Sequence, residues 1–481
     1  MISASDFSNS IPLIIIGSAS LLILILEIIL PKSEKNKSEN IIFYFSIVSL
    51  VIAIYFSFPD LNKNILIYSG FIKITTLTVA LNITLLIGVL ITVLSSRDYL
   101  VGEGINYGEY YSLLFLSLLG MMLMVTANDL IILFIGIELM SVCFYVLAGF
   151  MRKRLESNES ALKYFLLGAF LTGFLLLGIA FIYGYSGTTN YSTISALKIP
   201  KEQFYLLGLA LVFITFLFKT GSFPLQMWIP DVYQGSPTIV AGMMSSVGKT
   251  AAFGAMLTFF SVFGFNYFSV IVAAVSVLTM VYGNVIALMQ LDIKRLLAYS
   301  SIAHAGYIMI GYIVVSTSSI HAVMFYLISY ILMQLGSFIV VGIVEEKSDI
   351  RSTISERTSI ESYKGLGKTN PGLAALLSIF LFSLAGIPPF AGFWGKYYIF
   401  YAAIQINYVW IAIVGILLSL VGVYYYIKVI LYMWFYSPKP ETVYQSVNTD
   451  FSLTAAVIST LGLFLFGFYP ELILRIIRTI S

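Results

Sequence analysis

The sequence predicts an all-α polytopic membrane protein in which all 481 residues form one integral membrane domain. Hydrophobic residues make up 59% of the chain and charged residues only 10%, whereas soluble domains carry roughly 25% charged residues. The mean hydropathy is +0.96. Apolar runs long enough to cross a bilayer recur along the chain without strand-type alternation, so we expect every membrane crossing to be a helix.

Fourteen apolar runs, each bounded by charged or turn residues, define the predicted transmembrane helices in chain order. They cover residues 11–30, 40–58, 75–96, 109–126, 130–150, 161–184, 204–219, 236–262, 266–290, 296–316, 319–344, 371–402, 408–436 and 452–474. The first run lacks a basic segment before it and a small-residue cleavage site, so we expect it to be retained as a helix. The longest polar connection, from Glu345 to Lys368, is expected to be a charged loop between the eleventh and twelfth helices.

Two of these helices, the seventh and the twelfth, are interrupted by proline and glycine. The first interruption lies in "LFKTGSFPLQMWIPDVYQGSP", at Gly221 and Pro224, and the second in "LAGIPPFAGFWGKYYIF", at Pro388 and Pro389. Because the two breaks are five helices apart, they are expected to have opposite orientations, as in transporters with inverted repeats. The alternative is that both breaks reflect packing alone, since proline and glycine are common in membrane helices.

The position of the breaks predicts how the helices are grouped. Residues 1–100 are expected to contain three N-terminal helices, and residues 452–474 a single C-terminal helix. Residues 109–262 would form a first five-helix repeat, and residues 266–436 a second, inverted five-helix repeat.

Lysine and arginine are distributed unevenly between alternate loops. One set of loops contains 15 of the 26 basic residues, the other set contains 6, and the remaining five lie within predicted helices. Because cytoplasmic loops are enriched in lysine and arginine, the richer set is expected to be cytoplasmic and both termini to lie outside. The richer set comprises Lys32, Lys35, Lys37, Arg97, Arg152, Lys153, Arg154, Lys294, Arg295, Lys347, Arg351, Arg357, Lys364, Lys368 and Lys439, and the poorer set Lys63, Lys73, Lys198, Lys201, Arg475 and Arg478.

Composition also excludes several kinds of function. The formal net charge of +3 is too small to indicate nucleic-acid binding. A single cysteine, Cys143, excludes an internal disulfide or a cysteine-ligated cluster within the chain. Two histidines are too few for a multi-histidine metal or haem site, and the chain has no HExxH, nucleophile-elbow or phosphate-loop motif.

Charged residues inside the predicted helices are the candidate functional residues. A charge at the centre of a bilayer costs ~2.5–3.5 kcal/mol on insertion scales, so each one needs a partner, a hydrated cavity or a function. Lys249 and Lys396 each stand alone in a long stretch that is otherwise free of charge, and Glu138 lies near the middle of the fifth helix. We interpret these three as functional; the alternative is a static buried ion pair that only fixes helix packing.

The other ionisable residues in predicted helices have simpler alternative explanations. Lys219 lies at the end of its helix, where a lysine can extend its amine to the membrane surface. Lys163 follows the polar stretch "RKRLESNESAL" closely and could lie near the cytoplasmic surface, and Lys428 is expected to reach that surface. His304 and His321 are candidate proton-relay groups because histidine titrates near neutral pH, or else hydrogen-bonded packing residues.

One buried acid and several lysines on separate helices suit a proton relay better than a hydrolytic site. Desolvation weakens the hold of a buried lysine on its proton, and a nearby carboxylate strengthens it. Moving the carboxylate would therefore switch the lysine between holding and releasing a proton.

Five stretches of the chain resemble the antiporter-like membrane subunits of respiratory complex I, and in particular the subunit N family of NADH-quinone oxidoreductase. They are "NDLIILFIGIELMSVCFYVLAG", "ESALKYFLLGAF", "FKTGSFPLQMWIPDVYQGSPT", "LDIKRLLAYSSIAHAGY" and "LAGIPPFAGFWGKYYIF". "WIPDVYQGSP" is typical of the N type, and Lys396 stands where the M type has a glutamate. The long lateral helix of the L type is absent.

The resemblance implies a proton-pumping subunit of a redox-driven complex, itself without a redox centre. NADH, FMN, iron–sulfur clusters and quinone would bind on or between partner subunits, which include the M type and the small K, J and A types. The subunit would lie in the lipid bilayer of a bacterial inner (plasma) membrane. Its implied proton-transfer residues are Glu138 and Lys219 as a switching pair, Lys163 beside that pair, Lys249 at the centre and Lys396 at the outward end.

Two other functions remain open from the sequence. A cation/proton antiporter subunit of the Mrp type would share the fold but use an ion gradient, and an assembly subunit would use its buried charges for packing alone. The electron donor of the complex also remains open between NADH, the default, and a reduced deazaflavin, ferredoxin or hydrogen.

Overall fold

The computed structural model describes residues 4–30, 35–197, 203–264, 268–347, 357–438 and 449–478. Five residues in the count of basic loop residues lie outside this part of the chain: Lys32, Lys198, Lys201, Arg351 and Lys439. Residues 1–3 and 479–481, at the two ends whose location was predicted, also lie outside it.

The described residues form a bundle of helices with one short β-hairpin. In chain order the elements are α1 (Ala4–Asn9), α2 (Ile11–Ile29), α3 (Lys35–Ser57), β1 (Ile65–Ile67), β2 (Ile72–Ile74), α4 (Thr76–Gly102), α5 (Gly108–Thr126), α6 (Leu130–Ala148), α7 (Leu155–Ser186), α8 (Tyr191–Ala196), α9 (Gln203–Thr220), α10 (Ile229–Gly235), α11 (Thr238–Met243), α12 (Lys249–Phe263), α13 (Ser269–Ala287), α14 (Ile293–Met309), α15 (Thr317–Lys347), α16 (Leu366–Thr369), α17 (Pro371–Ala385), α18 (Ala391–Gln405), α19 (Val409–Phe435), α20 (Asp450–Phe468) and α21 (Pro470–Arg478).

The surface of the bundle is that of a membrane protein. Twelve of the described helices, with α11 to α12 taken as one, are long and apolar enough to cross a bilayer. Large apolar side chains such as Ile28 on α2, Leu155 on α7 and Phe435 on α19 are exposed, whereas α15 is almost completely enclosed by other helices. The prediction of an all-α polytopic membrane protein is confirmed.

The number of crossings and the repeat boundaries stay predictions. The predicted tenth helix corresponds to α14, which has only 17 residues, and the predicted twelfth is divided into α17 and α18, of 15 residues each. The predicted helix at 452–474 was too long: α20 ends at Phe468, and α21 begins at Pro470 as a separate helix. Proline is favoured in the first turn of a helix and cannot continue one, which explains the new start.

The loops contact one another in two groups, one at each end of the bundle. At one end the side chain of Asn128 donates to the backbone oxygen of Gly70 in the β-hairpin, over 2.8 Å. At the other end Glu103, after α4, forms ion pairs with Arg154, before α7, and with Arg357, after α15. The loops that contact one another at each end therefore belong to the same set, the set rich in lysine and arginine at the Glu103 end and the poorer set at the β-hairpin end.

Both interruptions predicted from proline and glycine are present. After α9 the chain turns at Gly221, whose φ of +70° favours glycine, and resumes helical structure at α10. After α17 the chain turns at Gly386 and resumes at α18. The tryptophan indole next to each break donates to a backbone oxygen. Trp228, just before α10, donates to Phe218 in α9, and Trp394 donates to Gly467 in α20.

The structure also contains an interruption that the sequence did not predict. Residues Met244–Gly248 form one π-helical turn between α11 and α12, and Lys249 is the first residue after it. Such turns occur mostly within α-helices and frequently at functional sites.

Two predicted boundaries were wrong at the end of the bundle that contains Glu103. Glu345 and Glu346, which were expected to begin a charged loop, belong to the last turn of α15 and are buried. Lys294, counted with the loops, lies in the first turn of α14 and is 1% exposed. Charged residues next to a polar connection look like loop residues in the sequence, but here the helices continue beyond the apolar runs.

Candidate functional site

Glu138 and Lys219 lie close together but do not form a direct ion pair among the described residues. The N-cap side chain of Asp129 accepts a hydrogen bond from the backbone of Ile131, which fixes the start of α6. Glu138 lies two turns further along and accepts a hydrogen bond of 2.6 Å from Thr172. The Lys219 amine is buried and donates to Ser141, one turn after Glu138, over 2.6 Å. Ser141 therefore stands between the acid and the lysine.

Lys163 lies apart from that pair, in a charged cluster at the loop end. Its amine forms ion pairs of 2.8 Å with Asp231 of α10 and with Glu159 one turn before it. The guanidinium of Arg295 binds the other oxygen of Asp231 over 2.9 Å. Burial alone would raise the pKa of Asp231, but the hydrogen bonds from Lys163 and Arg295 lower it below its usual value. The side chain of Lys163 is 43% exposed, as expected for a position near the membrane surface.

Lys249 is the most enclosed of the predicted site lysines. The side chain is 1% exposed, and its amine donates to both the backbone and the hydroxyl oxygen of Ser301 in α14, each over 2.9 Å. A Cβ atom on Gly221 would lie 3.5 Å from this amine. Lys249 therefore lies between the first break and the middle of α14, next to Gly221, which follows Lys219 by two residues in the chain.

His304 continues the polar contacts one turn beyond Ser301 on the same face of α14. The side chain of Asp292 caps α14 by accepting from the backbone of Arg295, which fixes the register of this face. The two ring nitrogens of His304 lie 2.8 Å from the hydroxyl of Tyr326 and 3.3 Å from that of Tyr426. Both histidine nitrogens thus contact groups that can accept or donate a proton.

Lys396 lies at the second break and is 6% exposed. Its amine donates to the backbone oxygens of Leu384 and Ala385, at 3.0 and 2.9 Å, and to the hydroxyl of Ser419 at 2.9 Å. The two carbonyls belong to the end of α17, where no further helical turn can bind them. Lys396 therefore completes the hydrogen bonding of the broken helix.

A series of polar side chains leads from His304 towards Lys396. The rings of Tyr426 and Tyr425 are in contact, with centroids 4.5 Å apart. The Tyr425 hydroxyl donates to Asn284 over 3.3 Å, and the Asn284 amide donates to the Tyr307 hydroxyl over 3.1 Å. The Lys396 amine lies 5.1 Å from the centre of the Tyr307 ring.

Sequence reasoning found the charged members of this arrangement and missed the neutral ones. Ser141, Ser301, Asn284 and the tyrosines are common residues that do not stand out in apolar helices, and only their contacts identify them. His321, a predicted relay residue, lies near the start of α15.

Among the described residues, no group of three or more histidine, cysteine, aspartate or glutamate side chains is arranged to bind a metal ion.

Residues 127–422 match the family model described as the transmembrane region of NADH:quinone oxidoreductase and Mrp antiporters. Subunit N of NADH-quinone oxidoreductase from Trichlorobacter lovleyi is 38% identical, over 96% of this chain and 94% of that protein. The chain belongs to the subunit N family of NADH-quinone oxidoreductase. The resemblance of its five quoted stretches to that family is thereby confirmed.

Solved structures of related complexes have the same fold as this family member. A chain of respiratory complex I from Thermus thermophilus is 30% identical, with a TM-score of 0.80, over 96% of this chain and 98% of that one. A chain of the Mrp complex from Dietzia sp. has a TM-score of 0.84, over 99% of this chain and 96% of that one, but only 18% identity. The Mrp likeness shows the fold alone, whereas sequence identity assigns the chain to the N type.

Proposed function

We propose that this chain is the proton-translocating N subunit of an NADH-quinone oxidoreductase and that Lys219, Lys249 and Lys396 carry the protons. The observation that carries the proposal is the set of three enclosed lysines on α9, α12 and α18, each of which donates to a serine hydroxyl. Lysines are rare within membrane helices and ordinarily mark an ion or proton pathway. Serine, histidine, asparagine and tyrosine side chains between them can each exchange a proton or orient water.

In the proposed mechanism Glu138 and Lys219 act as the switch. Lys219 donates to Ser141, and a small movement of α6 or of the end of α9 would bring the carboxylate and the amine together. Direct pairing favours the charged amine, and separation favours release of its proton. A proton released near Gly221 would pass to Lys249 and then along α14 to His304.

The outward half of the proposed path runs from His304 through the two tyrosines and Asn284 to Lys396. Since Lys396 is held by carbonyls of the broken helix, loss of its proton would weaken three hydrogen bonds at once. Protonation of Lys396 and the geometry of the second break are therefore expected to depend on each other. Lys163, by contrast, is assigned to the cluster with Asp231, where it orients α10 next to the switch.

The remaining parts of the assignment follow from membership in the family. We propose that NADH, FMN, iron–sulfur clusters and quinone bind on or between partner subunits. We also propose that the partners include the M-type and small K-, J- and A-type membrane subunits. The location proposed is the bacterial plasma membrane, with the loop end that contains Glu103 facing the cytoplasm.

The experiment that tests the function uses Lys249→Ala in the assembled complex, in inverted membrane vesicles. NADH-driven quinone reduction and the accompanying proton uptake are recorded together, with assembly checked by native gel electrophoresis. We expect proton uptake to fall several-fold, because the central amine between the first break and Ser301 is lost. Lys428→Ala is the matched control, since this half-buried lysine of α19 lies outside the row of contacts.

Each other outcome has a defined meaning. Wild-type quinone reduction with lowered proton uptake would still support the proposal and would show that this pathway can be uncoupled. Wild-type rates of both processes would show that Lys249 is a packing residue and that the proposal is wrong. Sodium-dependent proton movement without any electron donor would instead support an Mrp-type antiporter.

A further inference from the structure

Glu345 and Lys294 form a second buried acid–lysine pair, outside the row of contacts described above. Glu345 is 0% exposed and Lys294 is 1% exposed, and their charges interact. One oxygen of Glu345 accepts a hydrogen bond from the hydroxyl of Thr238 at the start of α11. The Lys294 amine donates to the backbone oxygen of Ser236, two residues earlier, over 2.7 Å. The pair thus encloses the start of the segment that leads to Lys249.

A surface cavity lies at the same loop end of the bundle. Its volume is about 400 Å³, and its lining includes Glu103 and Arg154. Burial raises the pKa of the Glu103 carboxyl, although Arg154 opposes this. The charge of Glu103 also interacts with that of Glu345. Glu103 therefore stands between a solvent-accessible cavity and a fully buried carboxylate.

Three buried polar side chains follow one another along a single stripe of α15. Glu345, Gln334 and Tyr330 fall within about 60° of one another around the helix axis, and they extend over about 22 Å of its length. One carboxylate oxygen of Glu345, the amide oxygen of Gln334 and the hydroxyl of Tyr330 make no hydrogen bond among the described residues. Buried polar atoms in proteins are ordinarily hydrogen-bonded, and ordered water supplies the bond where protein does not.

The stripe faces the side of α14 that leads to Lys249. The amide nitrogen of Gln334 donates to the backbone oxygen of Leu297 over 3.2 Å, and Leu297 lies one turn from Lys294. The Tyr330 ring lies against His304, with ring centres 5.4 Å apart. Ser301, the partner of Lys249, lies two turns of α14 from Lys294, a distance of about 10 Å along the axis. Polar groups therefore lie at both ends of this stretch, with Glu345 and Lys294 at one end and Gln334, Tyr330 and Ser301 at the other. Gln334 and Glu345 are about 16 Å apart along α15, and Phe338 and Val341 lie on the stripe between them.

We propose that Glu345 takes up protons from the cavity beside Glu103 and, with Lys294, passes them along the α15 stripe to Lys249. The inference rests on the proposed function of Lys249 as a proton carrier. The unbonded oxygen of Glu345 accepts the proton, which converts the carboxylate to a neutral carboxyl. The proton then moves through water beside Gln334 and Tyr330 to the neutral amine of Lys249, and Glu345 returns to the carboxylate form.

The charges around Glu345 suit a group that changes its own charge during turnover. Lys294 provides one positive charge near this carboxyl, and Glu103 provides one negative charge. The ionisable groups near the pair are Tyr99, Glu103, Arg154, Asp292 and Glu346.

The test compares Glu345→Gln, Glu345→Asp and Glu346→Gln in the assembled complex, in inverted vesicles. Glu346 is the matched control: it is buried in the same turn, but its side chain faces α4, at 3.6 Å from the position of a Cβ on Gly102. We expect Glu345→Gln to lower NADH-driven proton uptake several-fold, because its amide cannot take up and release a proton. Glu345→Asp should retain most of the uptake, and Glu346→Gln all of it.

A second measurement separates proton transfer from structural support. If Glu345 served only to hold Thr238, Glu345→Gln would remain active, because a glutamine at this position can accept the same hydrogen bond. Formate, a small weak acid, should restore proton uptake to assembled Glu345→Ala, since it can replace the missing carboxyl. If Glu345→Gln fails to assemble, Gln334→Leu, which removes the unbonded amide oxygen from the stripe, is expected to lower uptake, whereas Gln334→Glu should retain it.

The results distinguish this inference from the proposed function. Wild-type uptake in Glu345→Gln together with lowered uptake in Lys249→Ala would overturn the α15 route and leave the function of Lys249 intact. An equal loss in Glu346→Gln would also overturn it, because the effect would not be specific to the stripe. Wild-type uptake in both Glu345→Gln and Lys249→Ala would overturn the proposed function itself.

Discussion

Lys249 and Lys396 are both buried lysines, but their amines bind different kinds of hydrogen-bond acceptor. In the described part of the chain, Lys249 donates to Ser301, whose backbone already belongs to a continuous helix. Lys396 donates to two carbonyls that the break in α17 leaves without helical partners. Removing Lys249 therefore affects mainly proton transfer, whereas removing Lys396 also affects the stability of the fold.

Lys396→Met is accordingly expected to destabilise the subunit. A buried polar group that loses its partner costs about 1–3 kcal/mol, and both carbonyls at the end of α17 lose the same donor. The measurement is the temperature at which the solubilised complex loses this subunit on native gels. Lys428→Met is the control and should leave that temperature unchanged. An unchanged temperature for Lys396→Met would show that other groups bind the two carbonyls.

Asp231 gives a prediction about pH at the scale of one side chain. Its pKa in the folded protein is below the usual value of 3.8 because Lys163 and Arg295 bind the carboxylate. The ion pairs therefore stabilise the fold fully above that value, and this contribution is lost as the pH falls through the lowered pKa. Asp231→Asn should be less stable than wild type at pH 7, and the difference should shrink below pH about 4.

Melting temperatures of the solubilised protein at a series of pH values provide the measurement. Glu159→Gln removes the other, more exposed partner of Lys163, and is expected to show a much smaller difference. A constant difference between Asp231→Asn and wild type at all pH values would contradict the lowered pKa of Asp231.

At the scale of helices, the length of the apolar runs was sufficient to predict most of the membrane helices. The breaks were predictable because glycine and proline have direct steric consequences for a helix. The β-hairpin at residues 65–74 was not, since its alternating isoleucines occupy only three residues per strand. The π turn before Lys249 was also not predictable, because "MMSSVG" contains no residue that requires it. Glu345 was missed because a buried charge next to a charged connection cannot be told from a loop residue without knowing what packs against it.

The contact between α5 and α6 depends on small residues. A Cβ atom on Gly136 would lie 2.6 Å from the backbone nitrogen of Met124 and 2.8 Å from the backbone oxygen of Gly120. Since both of these are backbone atoms, the two helices would have to move apart. Any such movement also displaces Glu138, which lies two residues further along α6.

Gly136→Ala should therefore lower both the stability of the complex and proton uptake. Overpacking costs ~1–3 kcal/mol, which exceeds the ~1 kcal/mol that alanine gains over glycine in a helix. Gly173→Ala is the matched control, since a Cβ there meets nothing within 4 Å, and it should be neutral or slightly stabilising. Thermal loss of the subunit and NADH-driven proton uptake are the two measurements. If Gly136→Ala and Gly173→Ala had equal stability and equal proton uptake, α5 and α6 could move apart without loss of stability.

At the scale of the whole molecule, the two sets of loops predict which end faces the cytoplasm. Cys143 is buried and is the chain's single cysteine, so introduced cysteines can be labelled against a low background after Cys143→Ala. Lys153→Cys, on an exposed loop of the basic end, should react with a membrane-impermeant maleimide in inverted vesicles. Asn64→Cys, next to the β-hairpin, should react only after the vesicles are permeabilised. The reverse pattern would place both termini in the cytoplasm.

The long uninterrupted α15 has a consequence for the timing of transport. Tyr330, Gln334 and Glu345 belong to one 31-residue helix without a break, so they cannot change orientation independently. A rotation of α15 by one residue, about 100°, would turn all three away from α14 together. Loading from the cytoplasmic side and delivery to Lys249 would then stop at the same moment, and a proton could not leak backwards through a half-open route.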